Sequence, residues 1–179
     1  SDIAGETTLR MVANDLGRST IEQENQLDDG INSHQKTLSV TIKPLDDYKL
    51  TDVGFIKIDV EGHEQAVLRG ARKTIEQNQP LFLIEIEERH KQHAVADSIS
   101  FLAAYNYDGF FINAGRLCPI KEFSVTTHQD TRNIGDVTNH YKRTGVYINN
   151  FIFVPQQQQA AFCKQADTIL QQELELTQE

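Results

Sequence analysis

A chain of 179 residues, 39% apolar and 24% charged, has the size and composition of one globular domain with its own core. Seventeen Lys and Arg against 26 Asp and Glu leave a net charge of −9, which repels a phosphate backbone or an anionic lipid surface and so argues against nucleic-acid and membrane partners. Two cysteines, Cys118 and Cys163, are too few for a disulfide framework and lack CxxC spacing, as expected of free thiols in a reducing compartment.

Residues 6–12 alternate with period two and predict a short peripheral strand. From residue 14 to residue 36 the chain turns to Asn, Gln, Asp, Ser and Gly, which reads as a long surface loop. A second short strand over 37–42 is stopped by Pro44, and Leu45 to Tyr48 read as one helical turn. Residues 53–60 then form a nearly unbroken apolar run, the pattern of a strand covered on both faces. After Gly62, the residues Val67, Leu68, Ala71 and Ile75 fall at helical spacing, so a single helix of about four turns is predicted to run to near Asn78. Pro80 restarts the chain into a second buried strand, 81–86.

Val95, Ile99, Leu102 and Ala103 mark a second helix, followed by a strand at 109–113. A turn at Ala114-Gly115, an extended piece over 117–120 and a polar loop through Asp136 come next, and a last strand at 146–154 is closed by Pro155. Phe162, Ala166, Ile169, Leu170 and Leu174 share one face of a terminal helix, while the glutamines at 156–159 read as its solvated start. No apolar run approaches the roughly 18–20 residues of a membrane-spanning helix, and the polar start lacks a signal peptide's basic head and apolar body; the expected compartment is the cytoplasm. Strand, helix, strand, helix, strand implies an α/β three-layer sandwich, mostly parallel with an antiparallel last strand. The expected organisation is a single domain over 1–179, with a peripheral hairpin and loop at 1–48, an α/β core at 49–155 and a helix at 156–179.

In sheets of this kind ligands collect beyond the carboxyl ends of the strands. Those ends are acidic here: Asp59, Glu61 and Glu64 surround the first strand-to-helix turn, and Glu85, Glu87 and Glu88 the second. Alternation along a strand points Asp59 and Glu61 to one side, and likewise Glu85 and Glu87. Strands about 4.8 Å apart would crowd the four groups. Crowding raises at least one pKa unless a cation or a donor compensates. The chemical readings are a divalent cation site with oxygen ligands or a general base for a substrate hydroxyl. The structural alternative sets Glu61 and Glu64 in a helix first turn and pairs Glu87 and Glu88 with Arg89 or Lys91. Lys57, on a buried strand, is either an edge residue or the partner of a carboxylate. His63 reads as a surface residue, a base or a ligand, and His90 and His93 could share a helix face with Glu87 as part of a zinc site. No GxSxG elbow or P-loop occurs, and the ten glycines, at 5, 17, 30, 54, 62, 70, 109, 115, 135 and 145, form no GxGxxG cofactor turn.

The run FIKIDVEGHE at 55–64, followed by Val67-Leu68-Arg69-Gly70-Ala71 and then Pro80-Leu81-Phe82-Leu83-Ile84-Glu85-Ile86, closely resembles the FkbM family of S-adenosylmethionine-dependent methyltransferases. Upstream, 39–48 is similar to the family's lead-in of a short strand and Leu-Asp-Asp, and 1–5 to the end of its Ala-Leu-Ser-Asp-x-x-Gly step. The resemblance implies the class I methyltransferase sheet, of strand order 3-2-1-4-5-7-6, with 53–60 as its fourth strand, 81–86 the fifth, 109–113 the sixth and 146–154 the seventh. The family's first three strands, its Asp-x-Gly-Ala-Asn loop and its ribose-binding acid would precede Ser1, so the chain is expected to be the carboxyl-terminal portion of such an enzyme.

The resemblance further implies methyl transfer from S-adenosylmethionine to an oxygen of a small molecule or sugar in the intact protein. Asp59 is the first choice for the catalytic carboxylate, then Glu61 and Glu85, acting on a hydroxyl directly or through a divalent cation, and Asp2 is the implied cofactor contact. The isolated chain is expected to be inactive and to bind S-adenosylmethionine weakly or not at all. It is also expected to pair with a second copy through an exposed strand at 54–60. Two other readings are a metal-dependent hydrolase or nuclease caging an ion with Asp59, Glu61, Glu85 and Glu87, and a non-catalytic dimerising interaction module.

Overall fold

The computed structural model describes residues 1–12, 15–27, 35–135 and 142–176. Two sheets form. The first is antiparallel, with β1 (Gly5–Val12) between β2 (Asp15–Thr20) and β3 (Gln35–Ile42); β1 and β3 pair along their full length, from Gly5 opposite Ile42 to Val12 opposite Gln35. β2 corrects the reading of 14–36 as loop, whose residues 14 and 28–34 lie outside the described residues. Its residues, such as Arg18, Ser19 and Thr20, carry no apolar alternation, so the strand is held by its backbone ladder to β1 and leaves no periodic signal.

The second sheet has five strands in the order β4-β5-β8-β6-β7. β4 (Phe55–Ile58) and β5 (Leu81–Glu85) are parallel, whereas β8 (Asn150–Pro155) lies antiparallel between β5 and β6 (Tyr107–Asn113), and β7 (Arg116–Pro119) closes a hairpin with β6. The last strand is thus antiparallel as expected, and β7 is a second antiparallel member. Residues 146–149, expected as its first half, instead run without a ladder.

The helix expected after Gly62 is two helices, α1 (Glu64–Arg69) and α2 (Arg72–Asn78). The break has a physical cause at Gly70, whose carbonyl accepts from the Asp46 amide at 2.9 Å and where a Cβ would fall 2.0 Å from the Ser1 carbonyl oxygen. Asp46 then supplies the missing cap of α2 from a distance. Its carboxylate accepts from the amides of Lys73 (3.0 Å) and Thr74 (2.9 Å) and from the Thr74 hydroxyl (2.9 Å).

One face of the five-stranded sheet packs under α1, α2 and α3 (Ala94–Ala103), where Leu68, Ile75, Val95 and Leu102 meet Ile58, Phe82, Ile84, Phe111, Phe151 and Phe153. The opposite face receives α5 (Gln159–Leu176), with Phe162 against Phe110 at 6.1 Å between ring centroids. Leu174's side chain lies outside the described residues. α5 stops short of β4, so Phe55 stays 57% exposed at the margin of the sheet. The polar loop expected through Asp136 carries α4 (Val125–His128), and its continuation at 136–141 is outside the described residues. Among the described residues no helix is long and apolar enough to cross a membrane.

Candidate functional site

Beyond Ile58 the chain leaves the sheet through Asp59 and Val60 and reverses at Glu61 and Gly62, both at positive φ (52° and 104°). Glycine suits that region and a glutamate does not, so the turn at Glu61 is held from outside. The Thr20 hydroxyl (2.9 Å) and the Asn25 amide (2.8 Å) both donate to the Glu61 carbonyl. The segment after β2 is thus fastened onto the first strand-to-helix turn, a contact invisible in the sequence. Glu64 completes the turn from inside: its buried carboxylate accepts the Gly62 amide at 2.9 Å, and burial holds its pKa above the usual value.

The turn directs the Glu61 side chain inward, to 13% exposure, with Oε2 3.2 Å from His90 Nε2. The pair is close, but no hydrogen bond of acceptable geometry reaches that buried oxygen. Burial, and after it the charge of Glu87, pushes the Glu61 carboxyl up to about 7. Burial and then the Arg89 guanidinium push His90 down to about 4, so the imidazole is neutral at physiological pH.

Glu87 has the opposite fate although it is only 4% exposed. Burial works to raise its pKa, and hydrogen bonds overcome that and hold it below the ordinary value. Arg89 donates through Nε at 2.5 Å and Nη2 at 3.2 Å, the Tyr147 hydroxyl donates to the same Oε2 as Arg89 Nε, and Asn149 donates to Oε1 at 3.3 Å. The Asn149 amide also donates to Glu85 at 2.7 Å, while burial and the neighbouring Asp59 and Glu87 raise the Glu85 pKa. Asp59 faces solvent, held by Lys57 at 3.0 Å, and Lys57 Nζ stands 4.0 Å from Glu85. Lys57 is therefore both an edge residue and a carboxylate partner.

Gln129, buried at 5% exposure, braces the floor of the site. Its amide donates to the carbonyls of Ile86 (2.6 Å) and Ile148 (2.9 Å), and its oxygen accepts the Glu88 amide (2.9 Å). Beside these groups, Leu83, Ile112, Ile152, Arg143, Tyr147 and Asn149 line a cavity of about 170 Å³.

Asp59, Glu61, Glu85 and Glu87 do converge, but not as an oxygen cage. Glu87 is consumed by Arg89, Tyr147 and Asn149, Asp59 by Lys57, and among the described residues no group of three or more His, Cys, Asp or Glu is placed to hold a metal ion. The expected divalent cation therefore lacks a fitting ligand set here. His90 and His93 share no helix face: His90 lies in the turn after β5 against Glu61, and His93 is an exposed residue at φ 63° just before α3. His63 precedes α1 with both ring nitrogens buried and without hydrogen bonds, 3.6 Å from the Glu22 carboxylate that Lys91 holds at 2.8 Å. Asp2 lies at the far end of α1 from Glu61, bound to Arg69 at 2.7 Å.

The residues that sequence reasoning misses are Thr20, Asn25, Gln129, Tyr147 and Asn149. The adjacent pair Asn149-Asn150 inside an apolar run was the one available signal, since polar amides in a central strand need a reason.

The family model for the methyltransferase FkbM domain matches residues 4–108, more than half of the chain. A crystal structure of a methyltransferase FkbM from Methylobacillus flagellatus KT is 18% identical over 64% of this chain, with a TM-score of 0.42. The match spans 23% of that chain, so this chain covers less than a quarter of that relative's length. No curated protein matches the chain.

Proposed function

Because this chain belongs to the FkbM methyltransferase family, we propose that it supplies the proton-accepting side of an enzyme that methylates a hydroxyl of a small molecule or sugar, with Glu61 as the base. The proposed donor is S-adenosylmethionine, which when bound supplies an electrophilic methyl group on sulfur. The sheet order β4-β5-β8-β6 supports this reading, because it follows the 4-5-7-6 order that the family resemblance implies.

The observation that carries the assignment is the Glu61 carboxyl: buried, with one oxygen unpartnered and a pKa near 7. A base works best when its pKa lies near the working pH, and a carboxylate at its ordinary value is too weak to take a hydroxyl proton efficiently. As the acceptor oxygen bonds to the methyl carbon and the carbon–sulfur bond breaks, leaving a neutral thioether, the hydroxyl proton would pass to Glu61. Burial raises the Glu61 pKa, and Glu87, kept anionic by Arg89 and Tyr147, adds to that rise while its own pKa stays below the ordinary value. Asp59 and Glu85 are proposed to accept hydrogen bonds from other hydroxyls of the acceptor. Asp59 is the outer of the two, with its side chain 47% exposed against 26% for Glu85.

These residues alone make no cradle for the cofactor. The chain has no glycine-rich turn, and the cavity beside the carboxylates, about 170 Å³, falls short of the roughly 300 Å³ at which ligand sites begin. Asp2, the implied cofactor contact, would first have to leave Arg69.

The test, made on the enzyme to which this chain is proposed to supply the proton-accepting side, is transfer of labelled methyl from S-adenosylmethionine to a panel of hydroxyl acceptors, measured from pH 5.5 to 8.5. The rate should rise through about pH 7 in the wild type, and Glu61→Gln should lose about 100-fold or more. Full activity in Glu61→Gln with loss in Asp59→Asn would move the base to Asp59.

A further inference from the structure

The two donors on the Glu61 carbonyl are themselves held in place. The Thr20 hydroxyl, which donates to Glu61, accepts from the Glu22 amide at 2.9 Å, and the Asn25 side chain, which donates through Nδ2, accepts the Leu27 amide on its oxygen at 3.0 Å. Each side chain is thus turned one way, donor toward the turn and acceptor toward its own segment. Thr20, Asn25 and Leu27 are all buried. Arg10, from β1, grips the segment in turn, donating to the carbonyls of Glu22 and, at 2.6 Å, of Asn25. A chain of contacts therefore runs from β1 through residues 20–27 to the strand-to-helix turn of the other sheet.

The same segment reaches the second turn. Glu22 Oε2 lies 2.8 Å from Lys91 Nζ, beside His90, and at Gly62 a Cβ would stand 3.2 Å from both Glu22 Cγ and His90 Cβ. Gly62 is closed in between the two, so the turn that carries Glu61 is fixed on several sides.

We propose that Thr20 and Asn25 are positioning residues for the base: by holding the Glu61 backbone in the left-handed region they turn its side chain inward against His90, and without them it swings out to water. The inference rests on the reading of Glu61 as the base. Left-handed φ is disfavoured for a glutamate, so a turn released from both donors relaxes toward negative φ and carries the Cβ with it. The carboxyl then loses the burial that is the largest cause of its raised pKa. The charged and titratable groups around it are Asp59 on its own turn, Glu85 on β5, and Glu87, Arg89 and His90 on the turn after β5, with Arg18 on β2 acting on His90; replacing Thr20 and Asn25 alters none of them.

Two measurements test this. The first follows the side-chain carboxyl carbon of Glu61 by NMR in the 179-residue chain from pH 4 to 9, assigned by its loss in Glu61→Gln, and needs no activity. It should titrate near 7 in the wild type, and lower by about one pH unit or more in the Thr20→Val/Asn25→Ala double variant, checked for native circular dichroism. Thr20→Ser/Asn25→Ala, which returns one hydroxyl donor, should recover at least about half of that shift. Thr20→Val alone, nearly isosteric, should lower the value by at least about 0.3 and carries the test if the double variant does not fold. The second measurement is the pH dependence of methyl transfer by the enzyme to which this chain is proposed to supply the base. There the double variant should move the inflection by the same amount and lower kcat about tenfold, with KM changed less than about twofold. A folded double variant whose Glu61 carboxyl titrates as in the wild type overturns the proposal, whatever its activity, and so does a serine variant that recovers none of the shift. A carboxyl that shifts while the inflection of the rate stays in place instead overturns the choice of Glu61 as base, and with it the catalytic half of the proposal.

Discussion

Replacing Glu61 and replacing His90 should tilt the pH dependence of stability in opposite directions. In the folded chain Glu61 titrates near 7 instead of 4.5, because it is buried and faces Glu87. Between those values the folded state keeps a proton that the unfolded chain has released. That contribution is complete below pH 4.5 and is lost as the pH rises through about 7. At 1.36 kcal/mol per pH unit it amounts to about 3 kcal/mol, undiminished by solvent for a side chain 13% exposed. His90 works in reverse. Its folded value lies near 4 against an ordinary 6.5, through burial and then Arg89, so its contribution is complete above pH 6.5 and is lost as the pH falls through about 4, again by about 3 kcal/mol.

In the wild type the two slopes offset each other between about pH 4.5 and 6.5. Glu61→Gln leaves the histidine slope, so that stability climbs by about 3 kcal/mol from pH 4 to 6.5, and the variant exceeds the wild type by a similar amount at pH 8. His90→Gln leaves the glutamate slope, so that stability falls by about 3 kcal/mol from pH 4.5 to 7. Glu85 and Glu87 are present in all three proteins, and because Glu87 is coupled to both Glu61 and His90 the slopes are compared as differences from the wild type that include that coupling. Urea unfolding at half-unit steps from pH 4 to 8, extrapolated to water, reads these slopes. A difference between Glu61→Gln and the wild type that stays constant from pH 4.5 to 7 would refute the buried, high-pKa carboxyl and with it the choice of base.

Two further outcomes follow from the same geometry. Arg89→Ala leaves the Glu87 anion buried with only Tyr147 and Asn149 to hold it, so stability at pH 7 should drop by about 3 kcal/mol, less at pH 4 where the carboxyl can take a proton; denaturant curves at the two pH values decide it. Thr20→Val and Asn25→Ala each remove one donor from the Glu61 carbonyl and should cost about 1 kcal/mol, with a double variant that costs more than the sum because only it leaves that carbonyl without either donor; thermal unfolding of the three proteins measures it.

The core strands were legible because they are buried on both faces. Residues 81–86 and 109–113 leave continuous apolar runs that β5 and β6 match within one or two residues. The carboxylates were legible by position, since a strand end followed by Gly62 and a helical period fixes where Glu61 must stand. What the acids do was not legible. Glu85 and Glu87, one residue apart from each other across Ile86, look alike in sequence, yet one is raised and the other lowered, and the difference comes from Arg89, two residues beyond Glu87, together with Tyr147, sixty residues away. The break of the long helix was hidden for a similar reason. Val67, Leu68, Ala71 and Ile75 keep helical spacing across it, while the cause lies with Asp46 and Ser1. β2 escaped because a polar strand on a solvated sheet shows no periodicity to read.

Gln129 has a consequence of its own. Past Ile86 and Ile148 the strands β5 and β8 diverge, and two diverging strands would ordinarily strand their facing peptides without partners. One side-chain amide slipped between them behaves as a surrogate peptide bond, giving to both carbonyls and receiving the next N–H. The mouth of the sheet can thus open at one point while these three peptide groups keep their partners, so the gap rests on a single residue and not on unravelling the fold.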